Sequence, residues 1–147
     1  MTMFGSQWLA NAGSTYEIEQ SIRFNDNDSA YLERTPSSAG NQKTNTISCW
    51  VKRTNLGLGN SVAMFSAAGG SYGLTWYIDS SETDFSRERL SLSDGAANLW
   101  QANDYKLRDP ASWYHFVFAM DTTQATQSNR MKVYINGALV TADTNAL

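Results

Sequence analysis

Asn136-Gly137, set between the β-prone runs Lys132 to Ile135 and Ala138 to Thr141, constrains this chain more than any other pair of residues in it. Both positions of the tightest hairpin turn need positive φ, which Asn and Gly reach at the least steric cost, so the dipeptide marks a β-hairpin. Upstream lies the longest apolar run, Trp113 to Met120, broken only by His115, and then a polar loop from Asp121 to Asn129. Asp109 to Thr141 therefore reads as a central, doubly covered strand feeding a hairpin, with the rest of the chain forming a sheet system around it.

The remaining sequence carries the same two-residue period. Tyr16 to Phe24 places Ile18, Ile22 and Phe24 on one face and Glu17, Glu19 and Arg23 on the other, which predicts a strand. Ala30 to Arg34 is a second, short strand, followed by a loop from Thr35 to Thr44. Thr46 to Arg53 alternates Ile47, Cys49 and Val51 against Ser48, Trp50 and Lys52, an inner-sheet strand with one aromatic on its second face. Further strands are predicted over Ser61 to Ala67, Tyr72 to Ile78, Arg89 to Ser93 and Leu99 to Leu107, with turns at Gly69-Gly70 and Asp94-Gly95. No stretch has helical periodicity. Strands recurring at this spacing, with turn residues between them, predict an all-β sandwich or barrel.

Composition narrows the function classes. The 147 residues are enough for one domain with a sizeable core, and 41% are hydrophobic. Charged residues make up only 17%, against roughly 25% in an average soluble domain, and the polar remainder is rich in Ser, Thr, Asn and Gln. A net charge of −3 without a basic cluster argues against nucleic acid as a partner. No apolar run reaches the roughly 20 residues of a membrane helix, and the N-terminus lacks the pattern of a secretory leader, so no membrane insertion is expected. The single cysteine, Cys49, rules out an internal disulfide and a cysteine-based metal cluster, and reads as a buried, inert strand residue.

Residues 1–15 read as an extended N-terminal arm, since glycines and small polar residues give it no nucleus of its own. Phe4, Trp8 and Leu9 are too apolar for a free tail and are expected to dock on a partner surface. Asn25 to Ser29 is rich in side chains that bond their own backbone and is expected to form a turn. Its oxygen donors also suit calcium, but the sixth-position glycine and later glutamate of an EF-hand loop are missing, so no cofactor is assigned and calcium stays unassigned. Leu56 to Asn60 lacks the glycine spacing of a phosphate loop.

Glu82, Asp84 and Glu88 are the nearest approach to a catalytic constellation. Paired carboxylates on a strand can hydrolyse a glycosidic bond, but these have polar flanks that would not push their pKa values apart. They are expected to form a solvated loop, with no catalytic residues and no enzyme activity. His115 is the only histidine and is expected to be a hydrogen-bonded core residue. Aromatic faces beside amides and carboxylates are what sugar recognition uses. On that ground Tyr72, Trp76, Trp100, Gln101, Asn103 and Asp104 are the candidate carbohydrate-binding residues, with Trp100 to Asp104 the leading segment. The competing reading is that the set Tyr72, Trp76, Tyr77, Trp100 and Tyr105 packs between two sheets.

Several runs taken together resemble the laminin G-like, concanavalin A-like lectin/glucanase superfamily, in the version found in tail-fibre and other virion proteins of marine and cyanobacterial phages. They are Ser21-Ile-Arg-Phe-Asn25, Asp28-Ser-Ala-Tyr-Leu32, Arg34-Thr-Pro-Ser-Ser-Ala-Gly40, Ile47-Ser-Cys-Trp-Val-Lys-Arg53, Arg108-Asp-Pro-Ala-Ser-Trp-Tyr-His115, Asp121-Thr-Thr-Gln-Ala-Thr126 and Ser128-Asn-Arg-Met-Lys-Val-Tyr-Ile-Asn-Gly137. The resemblance implies an antiparallel two-sheet jelly-roll sandwich over residues 16–147 and a binding or structural role. Such domains continue past the Asn-Gly hairpin, so the sandwich is expected to lack its last strands. The function expected from the resemblance is a phage virion structural protein, a tail fibre or tail appendage, located in the virion. Its expected partners are other virion proteins, its own copies as a homo-oligomer and a host-surface glycan. A capsid decoration protein and a free carbohydrate-binding lectin domain are the alternatives.

Overall fold

The computed structural model describes residues 20–25, 28–54, 61–69, 72–79, 89–94, 96–103, 107 and 109–147. The chain divides into two compact units, residues 1–37 and 38–147. In the first unit, Asp28 N–H donates to the Asn25 carbonyl (3.2 Å) and Asn25 Nδ2 donates to Asp28 Oδ2 (2.8 Å). Ser29 has a φ of +48°, so the Asn-Asp cluster does form a turn. The strands expected at Tyr16–Phe24 and Ala30–Arg34 are not found in the described residues. Gln20 to Asn25 and Ala30 to Arg34 are exposed and unpaired, with Ile22, Phe24, Tyr31 and Leu32 open to solvent. Alternation specifies which side chains share a face, but a strand also needs a neighbour for its backbone groups. Phe4, Trp8 and Leu9, the residues expected to dock, the whole segment 1–15, Leu56 to Asn60 and the carboxylates Glu82, Asp84 and Glu88 lie outside the described residues.

The second unit is an all-β, antiparallel two-sheet sandwich. Its strands are β1 (Thr44–Val51), β2 (Ser61–Gly69), β3 (Tyr72–Asp79), β4 (Arg89–Ser93), β5 (Asn98–Ala102), β6 (Tyr114–Asp121), β7 (Met131–Ile135), β8 (Ala138–Leu139) and β9 (Thr144–Asn145). One sheet has the order β1-β6-β7-β8 and the other β2-β3-β4-β5-β9, so the last strand crosses to the second sheet. Regular helical structure among the described residues is limited to short 3₁₀ turns, at Gln127–Asn129 and at Asp28, and no helix there is long and apolar enough to cross a membrane.

β6 is central, as its apolar run implies, but its cover is one-sided. Phe116, Phe118 and Met120 are buried, whereas His115, Val117 and Ala119 are only half-buried on the opposite face. β1 pairs with β6 alone, so among the described residues it is an edge of its sheet and not an inner strand. Its phase agrees with the sequence: Ile47, Cys49 and Val51 pack against the core, and Trp50 faces out. The hairpin after β7 is the one Asn-Gly demands, with φ of +51° at Asn136 and +81° at Gly137 and Ile135 paired to Ala138.

The core lies between the sheets. The five-stranded sheet contributes two cross-strand rows, Ile78-Leu90-Ala102 and Trp76-Leu92-Trp100. From the four-stranded sheet come Phe116, Phe118, Met120, Met131, Val133 and Ile135. Trp76 stacks on Phe118 across the interface, with ring centroids 4.1 Å apart, and packs edgewise on Trp100 at 5.5 Å.

Candidate functional site

The fold puts the two halves of the aromatic candidate set in different places. Trp76 and Trp100 are 3% and 1% exposed, so neither ring has a free face for a sugar. Both are core residues, because their strands turn them toward Phe118 and Leu92 and away from water. This corrects their assignment as binding residues in favour of the inter-sheet packing. Gln101 is on the opposite face of β5, where its Nε2 donates to Ser91 Oγ at 3.4 Å. Its backbone carbonyl accepts from Asp143 N–H (2.8 Å), and Asn103 N–H donates to Asp143 Oδ2 (2.6 Å). Gln101 and Asn103 thus flank the tie that holds β9 beside β5. Tyr72 opens β3, but its side chain, like that of Tyr77, lies outside the description, as do Asp104 and Tyr105.

The outward face of the four-stranded sheet carries a different constellation. Trp50 on β1 sits directly opposite His115 on β6, and the two rings stack with centroids 4.9 Å apart and planes 24° from parallel. Ser48, one outward position along β1, places Oγ 2.9 Å from His115 Nε2. On the far side of β6, Asn136 locks the same residue: His115 N–H donates to Asn136 Oδ1 (2.8 Å) and Asn136 N–H donates to the His115 carbonyl (2.9 Å). His115 is hydrogen-bonded as expected, but it is half-buried on the outer face and does not belong to the core. The reason is strand phase, since Phe116 and Phe118 take the inward positions.

Trp50 is 51% exposed and Trp113, two residues before His115, is 47% exposed. One face of the Trp50 indole rests on the imidazole, and half-exposure leaves the other free. Lys52 follows just past the end of β1 and is exposed. Further along the face, Thr44, Thr46, Ala119, Asp121, Gln124, Asn129 and Lys132 line a shallow, open depression.

The carboxylates described near these elements are engaged in turns. Asp121 accepts from Gln124 Nε2 (2.6 Å), Thr123 Oγ1 (2.5 Å) and Thr123 N–H (3.0 Å), and these bonds hold its carboxyl below the ordinary carboxylate value. Asp109 is lowered in the same direction by Ser112 Oγ and Ala111 N–H, with a smaller contribution from the Lys52 charge. Asp94 is lowered by the amides of Ala97 and Ala96. Groups held ionised in this way accept hydrogen bonds and do not donate protons at neutral pH. Burial pushes the Cys49 thiol up, which suits an unreactive packing residue. Among the described residues no three His, Cys, Asp or Glu side chains gather as metal ligands.

A family description, the concanavalin A-like lectin/glucanases superfamily of laminin G type, matches residues 24–146. The chain belongs to that superfamily. No curated protein and no solved structure matches it. The two antiparallel sheets, with almost no helix among the described residues, are those of a concanavalin A-like sandwich.

The alternation of β1 was the signal for this site. Trp50 shares a phase with Ser48 and Lys52, so a large ring stood among exposed positions. Trp113 and His115 gave no such signal, because the Trp113–Met120 run is apolar in both phases.

Proposed function

We propose that this protein is a non-catalytic component of a phage virion, a tail fibre or tail appendage, whose sandwich serves as scaffold and glycan-binding module. The observation that carries the glycan-binding part is membership of the lectin/glucanase superfamily over residues 24–146. The absence of catalysis is supported by the state of Asp94, Asp109 and Asp121, each committed to closing a turn. The virion assignment rests on sequence runs that resemble those of phage tail-fibre and virion proteins, and on the apolar residues Phe4, Trp8 and Leu9 among the glycines and small polar residues of 1–15. In this reading the arm anchors the protein to other virion proteins or to its own copies, and the sandwich faces the host surface.

Mass spectrometry of purified particles tests the location. The expected result is copurification at a few to a few dozen copies per particle, with incorporation lost when residues 1–15 are deleted. A copy number near that of the major capsid protein would make it a decoration protein, and absence from particles would leave a free lectin. Binding of the full chain to a printed array of bacterial surface polysaccharides tests the module, and an array without signal would contradict it.

A further inference from the structure

We infer that the sugar-binding surface is the outward face of the four-stranded sheet, with Trp50 as the ring on which a pyranose stacks; this rests on the glycan-binding reading above. A pyranose is amphipathic: its C–H face packs on an aromatic ring while its rim of hydroxyls needs donors and acceptors within reach. Trp50 supplies the first requirement and its chain neighbours the second. Its 51% exposure leaves one indole face free, and Ser48 on β1 and Lys52 just past the end of β1 lie to either side of it. Ser48 Oγ makes one described bond, to His115 Nε2, so the hydroxyl keeps capacity for another. The Lys52 ammonium offers three donors on an exposed stem.

Preorganisation distinguishes this ring from a stray surface aromatic. His115 backs the indole at 4.9 Å, Ser48 holds the imidazole, and Asn136 pins the His115 backbone from the opposite side. The indole therefore meets its ligand already oriented, which reduces the ordering cost of binding. His115 is a positioning residue here, acting through Trp50. Trp113, immediately before β6, is a second half-exposed ring. The polar residues Ser48, Lys52 and Asn136 interrupt the apolar area, which suits a hydroxylated ring better than the continuous apolar core of a protein interface. On the five-stranded sheet Trp76 and Trp100 face inward, and Phe65 of β2, though 43% exposed, has no ring stacked on it among the described residues to hold it in place.

The test uses the full chain and the polysaccharide that gives the strongest array signal, titrated by tryptophan fluorescence. Trp50→Ala should weaken binding about tenfold or more, and Trp50→Phe should retain a substantial part of it. His115→Ala should give an intermediate loss that His115→Phe restores, because a flat ring in that place keeps the indole oriented. Gln101→Ala and Asn103→Ala should bind as wild type does. Wild-type binding that survives Trp50→Ala, or that disappears with Gln101→Ala, would overturn this site while leaving the glycan reading intact. A wild-type chain that binds nothing on the array would overturn the glycan reading and the site with it. Circular dichroism of each variant separates loss of contact from loss of fold.

Discussion

Trp76 and Trp100 differ from Trp50 and Trp113 in almost everything except residue type. The first two are within a few per cent of complete burial, Trp76 joining the sheets through Phe118 and Trp100 packing on Trp76; the second two are half-exposed, Trp50 on the outer face of β1 and Trp113 just before β6. All four lie in or beside strands, flanked by similar neighbours, so neither composition nor propensity separates them. What separates them is the pleat. A one-position shift in phase moves a ring from the stabilising core to the solvent-facing surface. The same residue type thus serves stability where it faces the other sheet and, in the proposed site, binding where it faces out.

The comparison is broken most directly by truncating one ring of each kind. Trp100→Ala should cost about 3–5 kcal/mol in urea unfolding, the range for emptying a large aromatic from a core, and Trp76→Ala should cost a similar amount. A loss below about 1 kcal/mol would mean the ring is not between the sheets. Next in size is the hairpin that positions His115. Asn136→Ala removes the acceptor for His115 N–H and places alanine at positive φ, so about 1–2 kcal/mol should be lost. Trp50→Ala should cost no more than about 1 kcal/mol, the scale of an exposed ring stack, while binding suffers.

The smallest effect concerns Asp121. Its folded carboxyl lies below the ordinary value of 3.8, so its contribution is present above that pH and is lost as pH falls through the lowered folded value. Asp121→Asn should therefore flatten the acid limb of the unfolding curve below about pH 4 and leave the neutral region almost unchanged. An acid limb identical to that of wild type would show that the turn bonds do not favour the charged form.

Legibility in the sequence followed how sharply each residue pattern restricts the backbone. Asn136-Gly137 admits one turn, and the alternation of Ile47, Cys49 and Val51 admits one core-facing side; the turn is found, and the three side chains pack, partly buried, against the core. The segment Tyr16–Phe24 alternates just as clearly, yet its described part is unpaired, because periodicity says nothing about whether a neighbouring strand is present. Trp76 and Trp100 were ambiguous for a related reason. Each sits among apolar and polar neighbours in both phases, and only the cross-strand register, Trp76 to Leu92 to Trp100, reveals the inward side. His115 was misplaced because its run is apolar throughout, which hides the one-sided cover of β6.

The division between the two pairs of rings is tested most directly by the indole N–H signals of ¹⁵N-labelled protein, recorded with and without the bound polysaccharide. On that division the signals of Trp50 and Trp113 move as the ligand is added and those of Trp76 and Trp100 stay in place. Movement of the Trp100 signal with the Trp50 signal unchanged would contradict it.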